Sequence, residues 1–188
     1  MKTRAVLAGL SLLVQLTLAA QSSVLSPAAQ ISVITCGPGT ELYSTFGHSA
    51  FRIKDPVSGL DRVYNYGTFN FNTPNFYVKF ARGKLLYELR AYDFGHFLRG
   101  YHEENRWVKE QVLDLKYEQA QKIFEFLENN AKPENRAYKY DFFYDNCSTK
   151  MMGVLEQVLG KELVFDPNYE DGISTHRQLI QLSLGELT

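Results

Sequence analysis

The apolar residues of this chain change their spacing partway along it. Between residues 31 and 115 they come mostly in short runs rich in β-branched and aromatic side chains. From Tyr117 onward they recur at helical spacing. Strands followed by helices make an α+β domain, an antiparallel sheet flanked by helices. Residues 31–36 read as a strand stopped by Gly37-Pro38-Gly39, and 41–45 as a single helical turn. Residues 48–54 and 62–66 read as two strands, joined by Asp55-Pro56-Val57-Ser58-Gly59, which has hairpin-loop chemistry. Residues 85–92 and 107–115 are further strands, and 73–82 and 93–105 are helical segments.

The clearest helix is 117–129. Tyr117, Ala120, Phe124 and Leu127 share one face, and Asn129-Asn130 with Pro133 end it. Residues 138–144 form an aromatic lead into a second helix, with Met151, Leu155, Val158 and Leu159 on its buried face and Gly160 closing it. A helical start is expected at 175–182, and 21–30 is expected to be a poorly ordered lead-in.

Residues 1–20 have the layout of a secretory signal: Lys2 and Arg4, then an uncharged apolar stretch, then Leu18-Ala19-Ala20 for cleavage. The first cysteine is Cys36, far from that site, so the expectation is an exported chain rather than a lipid-anchored one. Without the signal, 18 basic residues face 21 acidic ones, a net charge of −3. Such a balance offers no footprint for nucleic acid. The remaining length suffices for one domain with its own core, placed at 31–180, with 181–188 as a truncated tail. No later uncharged run approaches the ~20 residues of a membrane span.

Cys147 lies in Tyr144-Asp145-Asn146-Cys147-Ser148-Thr149, at the head of the second helix, and His48 heads a strand in Phe46-Gly47-His48-Ser49-Ala50. A cysteine attacks only as thiolate, and a free pKa of roughly 8.5 leaves few thiolates at neutral pH. A helix N-terminus and a nearby imidazolium both lower that value. Asp145 or Asn146 would cap the helix, and first-turn N–H groups could hold an oxyanion. His48 would serve as base and acid, provided a third group fixes its ring. Asn65, on the adjacent strand, is the first candidate, with Glu41 and Tyr64 next, and spacing alone does not rank them. The bland alternative is a Cys36–Cys147 disulfide in an exported binding module. His96, His102 and His176 are taken as structural. No cofactor is expected, and the histidines and cysteines lack metal-ligand spacing.

Cys36-Gly37-Pro38-Gly39-Thr40-Glu41-Leu42-Tyr43-Ser44-Thr45-Phe46-Gly47-His48-Ser49-Ala50 resembles the signature of the Lnb-type periplasmic domain of bacterial envelopes. So do Tyr64-Asn65-Tyr66-Gly67-Thr68-Phe69, Phe80-Ala81-Arg82-Gly83-Lys84, Glu104-Asn105-Arg106 and Tyr144-Asp145-Asn146-Cys147. The resemblance implies a circularly permuted papain-like fold of the NlpC/P60 and lecithin-retinol acyltransferase plan, with the histidine strand before the cysteine helix. It also implies lipoprotein N-acyltransferase activity, from a phospholipid acyl donor to the N-terminal amine of a lipoprotein. Cys147 would carry the thioester, His48 would assist both steps, and Glu41 would orient His48 or receive the amine.

A peptidase or amidase acting on cell-wall peptide would use the same pair with a different acceptor. Phe76, Tyr77 and Phe80 lie close on a helical segment bearing Lys79, Arg82 and Lys84. They read either as core or as an apolar surface rimmed by cations that meets a membrane surface.

Overall fold

A computed structural model describes residues 24–41, 43–164, 175, 177 and 178. The expected signal segment, the 181–188 tail, His176 and most of the 175–182 helix lie outside the described residues. The described elements run β1 (Gln30–Cys36), β2 (His48–Asp55), β3 (Leu60–Thr68), α1 (Phe76–Ala81), β4 (Leu86–Asp93), α2 (Phe94–Glu103), β5 (Val108–Val112), α3 (Tyr117–Asn130), β6 (Ala137–Lys139) and α4 (Cys147–Leu159). The six strands form one sheet in the order β5-β1-β2-β3-β4-β6. Every pairing is antiparallel. The α+β expectation therefore holds, with β2 and β3 at the centre.

Strand alternation divides the core between the two faces of the sheet. One face presents Ile31, Phe51, Ile53, Tyr64, Tyr66 and Leu89 to α3 and α4, which answer with Ile123, Phe124, Leu127, Met151 and Val154. The other presents Ile34, Cys36, Ala50 and Val63 to Phe97 of α2. Truncating Phe124, which is almost fully buried, to Ala would cost about 3–5 kcal/mol. Tyr117, expected on the buried face of α3, is partly exposed and instead donates from its hydroxyl to the Leu25 carbonyl at 3.1 Å.

That contact belongs to a correction at the N-terminal lead-in. From residue 24 on it is tied down rather than loose. Leu25 is buried in the core, and its N–H donates to Gln121 Oε1 at 2.9 Å. Asp55, buried at the end of β2, accepts from the Ser26 N–H at 2.8 Å and the Ser26 hydroxyl at 2.6 Å. A buried carboxylate needs such donors, and Ser26 supplies two of them.

Three other local readings change. Helix α1 begins only at Phe76, because Pro74 disfavours helical geometry at Thr73 and Asn75 takes a left-handed φ of 58°. Residues 43–46 are turns rather than a helical turn, with Ser44 and Gly47 N–H groups donating to the Glu41 and Ser44 carbonyls. The aromatic lead before Cys147 contains a short edge strand, where Tyr138 pairs with Tyr87. No helix among the described residues is long and apolar enough to cross a membrane.

Candidate active site

Helix α4 starts at Cys147, and Asn146 caps it. Asn146 Oδ1 accepts from the N–H groups of Ser148 at 2.9 Å and Thr149 at 3.0 Å, while the Asn146 N–H donates to Thr149 Oγ1 at 2.8 Å. Of the two expected caps, Asn146 is the one used. Asp145 pairs instead with Lys150 at 2.8 Å. The helix start is fastened to the beginning of β2 by the Ser148 and Ser49 hydroxyls, 3.3 Å apart.

His48 opens β2 opposite Cys36 of β1. Gly47 before it has φ 72°, and a Cβ there would lie 2.7 Å from the Cys36 carbonyl oxygen, so only glycine brings the turn this close. On the neighbouring strand, Asn65 lies on the same face as His48, with its side chain buried. Asn65 Nδ2 donates to the Tyr92 hydroxyl, which leaves Oδ1 to accept from His48 Nε2–H. The ring is thereby held as the tautomer whose Nδ1 is unprotonated. The His48 ring stands beside the Cys147 thiol and acts to lower its pKa.

His48 and Cys147 reach each other from opposite faces of the sheet. They meet where β3 is irregular between Asn65 and Thr68, at Gly67. Gly67 has φ 85°, and a Cβ on it would stand 3.6 Å from His48 Cε1 and 3.8 Å from Cys147 Cβ. Those are ordinary contact distances, so what glycine supplies here is the positive φ that the strand irregularity takes.

Burial alone would raise the Cys147 thiol. The hydrogen bond and charge of His48, the Ser49 N–H and the Ser148 hydroxyl outweigh it and bring the thiol down to about 7. Cys36 goes the other way: burial pushes it up to about 11, against the opposing effects of the Tyr101 hydroxyl and Arg106. Both cysteines are free thiols, so the disulfide alternative is not what this structure contains. One cavity thus holds an ionisable thiol and an inert one.

That cavity has a volume of about 820 Å³. Phe69, Phe71, Phe80, Tyr87, Tyr140 and Phe142 line it, together with Cys36, Tyr101, Arg106 and Trp107. Among the described residues no Asp, Glu or Lys lines it. Burial pushes Tyr140 up to about 12, as an apolar wall should. Arg106 braces the loop ahead of His48, donating from Nε to the Gly37 carbonyl at 2.8 Å with its guanidinium over the Tyr101 ring.

Of the residues singled out from sequence, Cys147, His48 and Asn65 come together and Glu41 does not. The Glu41 side chain is exposed and outside the cavity lining, and its carbonyl serves the turn by accepting from the Ser44 hydroxyl. Tyr64 fails for a different reason. Adjacent strand residues face opposite ways, and its hydroxyl bonds Glu128 on the far face. Tyr92, Tyr101 and Arg106 were missed as site residues. For Arg106 and Gly67 the signal was present, since both lie in motifs quoted above.

No curated protein and no solved structure shows significant similarity to the chain. Residues 19–181, however, match the Lnb N-terminal periplasmic domain. With that match spanning most of its length, the chain belongs to the Lnb N-terminal periplasmic domain family.

Proposed function

We propose that this domain is a thiol acyltransferase of the cell envelope, moving a fatty acyl chain from a phospholipid to the N-terminal amine of a lipoprotein. The observation that carries the reading is a thiol brought down to about 7 by His48 inside a cavity with aromatic walls and, among the described residues, no carboxylate. A thiolate attacks the ester carbonyl of the donor, and the tetrahedral intermediate collapses as the carbon–oxygen ester bond breaks. The departing alkoxide takes its proton from the His48 imidazolium and leaves as a lysophospholipid. The lipoprotein amine then attacks the thioester, His48 accepts the amine proton, and the amide forms as the thiolate is restored. Asn146 occupies the Ser148 and Thr149 N–H groups, so the Cys147 N–H is the first-turn donor assigned to the oxyanion. Histidine strand before cysteine helix, with Asn65 as the third group, also supports the permuted papain-like plan.

A peptidase or amidase would use the same pair with water as acceptor. The aromatic lining, with no acidic or lysine group among the described residues to bind a polar peptide, favours an acyl chain instead. The test supplies phosphatidylethanolamine vesicles and a synthetic diacylglyceryl-cysteine peptide. N-acylated peptide made by wild type and absent with Cys147→Ala supports transfer. Free fatty acid with no amide assigns hydrolysis.

A further inference from the structure

The aromatic lining of the cavity continues to the outer surface. Residues 69–87, from the end of β3 through α1 into β4, contain Phe69, Phe71, Phe76, Tyr77, Phe80 and Tyr87. The rings form a connected ladder: Tyr87–Phe69 at 5.3 Å, Phe69–Phe71 at 4.9 Å, Phe71–Phe76 at 4.9 Å and Phe76–Tyr77 at 5.2 Å between centroids. Phe76 is the internal hub, only 8 % exposed, whereas Phe71 is 63 %, Tyr77 79 % and Val78 54 % exposed. Phe71 and Phe80 also line the cavity, so one set of rings is both wall and outer surface.

The same segment carries Lys79, Arg82 and Lys84 and not one carboxylate, on a chain that is otherwise net acidic. Among the described residues none of the three forms a salt bridge. Exposed apolar rings beside unpaired cations match the boundary of an anionic bilayer, where rings sit at headgroup level and cations meet phosphates. The exposed Asn70, Asn72 and Asn75 of the same segment can hydrogen-bond headgroup oxygens, and it holds no carboxylate to repel an anionic surface.

We infer that residues 69–87 are a docking surface for an anionic lipid bilayer, on which Tyr77 and Val78 enter the interface and Arg82 and Lys84 hold the headgroups. An acyl chain then enters between Phe71 and Phe80. The chain's destination rests on the acyl-transfer reading; the docking does not. Phe76 is a packing residue, so replacing it would disturb the surface rather than test it.

The test uses sedimentation of the domain with equimolar phosphatidylcholine and phosphatidylglycerol vesicles, beside pure phosphatidylcholine. Wild type sediments with the anionic vesicles and is released as salt rises to about 1 M, where screening acts within about 3 Å. Arg82→Gln/Lys84→Gln weakens anionic binding by about 25-fold, at about fivefold per cation. Tyr77→Ser/Val78→Ser weakens it about tenfold or more. None of these four residues lines the cavity, so both variants still acylate Cys147 from a water-soluble p-nitrophenyl ester. Cys147→Ala binds vesicles as wild type does. Wild type that ignores anionic vesicles, or variants that bind them equally well, overturns the docking surface. Vesicle binding that follows the variants while no ester acylates Cys147 keeps the docking and removes the acyl-transfer reading.

Discussion

Asn65 holds the ring of His48 from the neighbouring strand: its Oδ1 accepts from Nε2–H, and its Nδ2 is committed to the Tyr92 hydroxyl. That second bond fixes which end of the amide faces the histidine. The remaining ring nitrogen is left for Cys147. Asn65→Ala is therefore expected to lower the acylation rate about a hundredfold through misplacement of the ring. Tyr92→Phe, which frees the amide to flip, gives a smaller loss of the same kind. Circular dichroism should show both folded.

Gly67 is expected to be intolerant for a reason separate from packing. Gly67→Ala places a side chain at φ 85°, costing about 1–2 kcal/mol, and sets a Cβ 3.6 Å from His48 Cε1. The melting temperature should fall modestly and the acylation rate much more. Equal activity in Gly67→Ala would contradict the dependence of the site on this backbone conformation.

The two thiols should separate by pH. Iodoacetamide labelling of Cys147 rises through about 7, whereas Cys36 stays protonated until about 11. Between these values peptide mapping should find the label on Cys147. In His48→Ala burial is opposed only by the Ser49 N–H and the Ser148 hydroxyl, and the Cys147 midpoint moves upward. Because the folded Cys147 value lies below the ordinary one, its stabilising contribution is complete above that ordinary value and is lost as pH falls through about 7.

Asp55 anchors the N-terminal lead-in. Burial would raise its carboxyl, but the Ser26 hydroxyl and N–H, the Val57 N–H and Ser58 bring it down to about 2. Its stabilisation is complete above the ordinary carboxylate value and is lost as pH falls towards about 2. Asp55→Ala leaves buried donors unmatched and is expected to cost about 1–3 kcal/mol in urea unfolding, with faster amide exchange at Ser26.

Periodicity carried most of the fold, since strands 31–36 and 48–54 and helix 117–129 follow from local spacing alone. The site was legible as far as Cys147 and His48, because a cap before a helix and a glycine before a strand are local signals. Choosing Asn65 over Tyr64 and Glu41 was not, because it depends on which face β3 turns to β2 and on an exposed turn at Glu41. The meeting at Gly67 depends on a strand irregularity that no local pattern reveals. Leu25 and Ser26 looked loose because their partners, Gln121 and Asp55, are distant in sequence.

The decisive measurement is the intact mass of the domain after mixing with phospholipid vesicles, beside Cys147→Ala and His48→Ala. The acyl-transfer mechanism predicts one added fatty-acyl mass on wild type, removed by hydroxylamine, absent from Cys147→Ala and much slower to appear on His48→Ala. A reduced chain with both thiols free and no adduct, or an adduct that persists in Cys147→Ala, would contradict it.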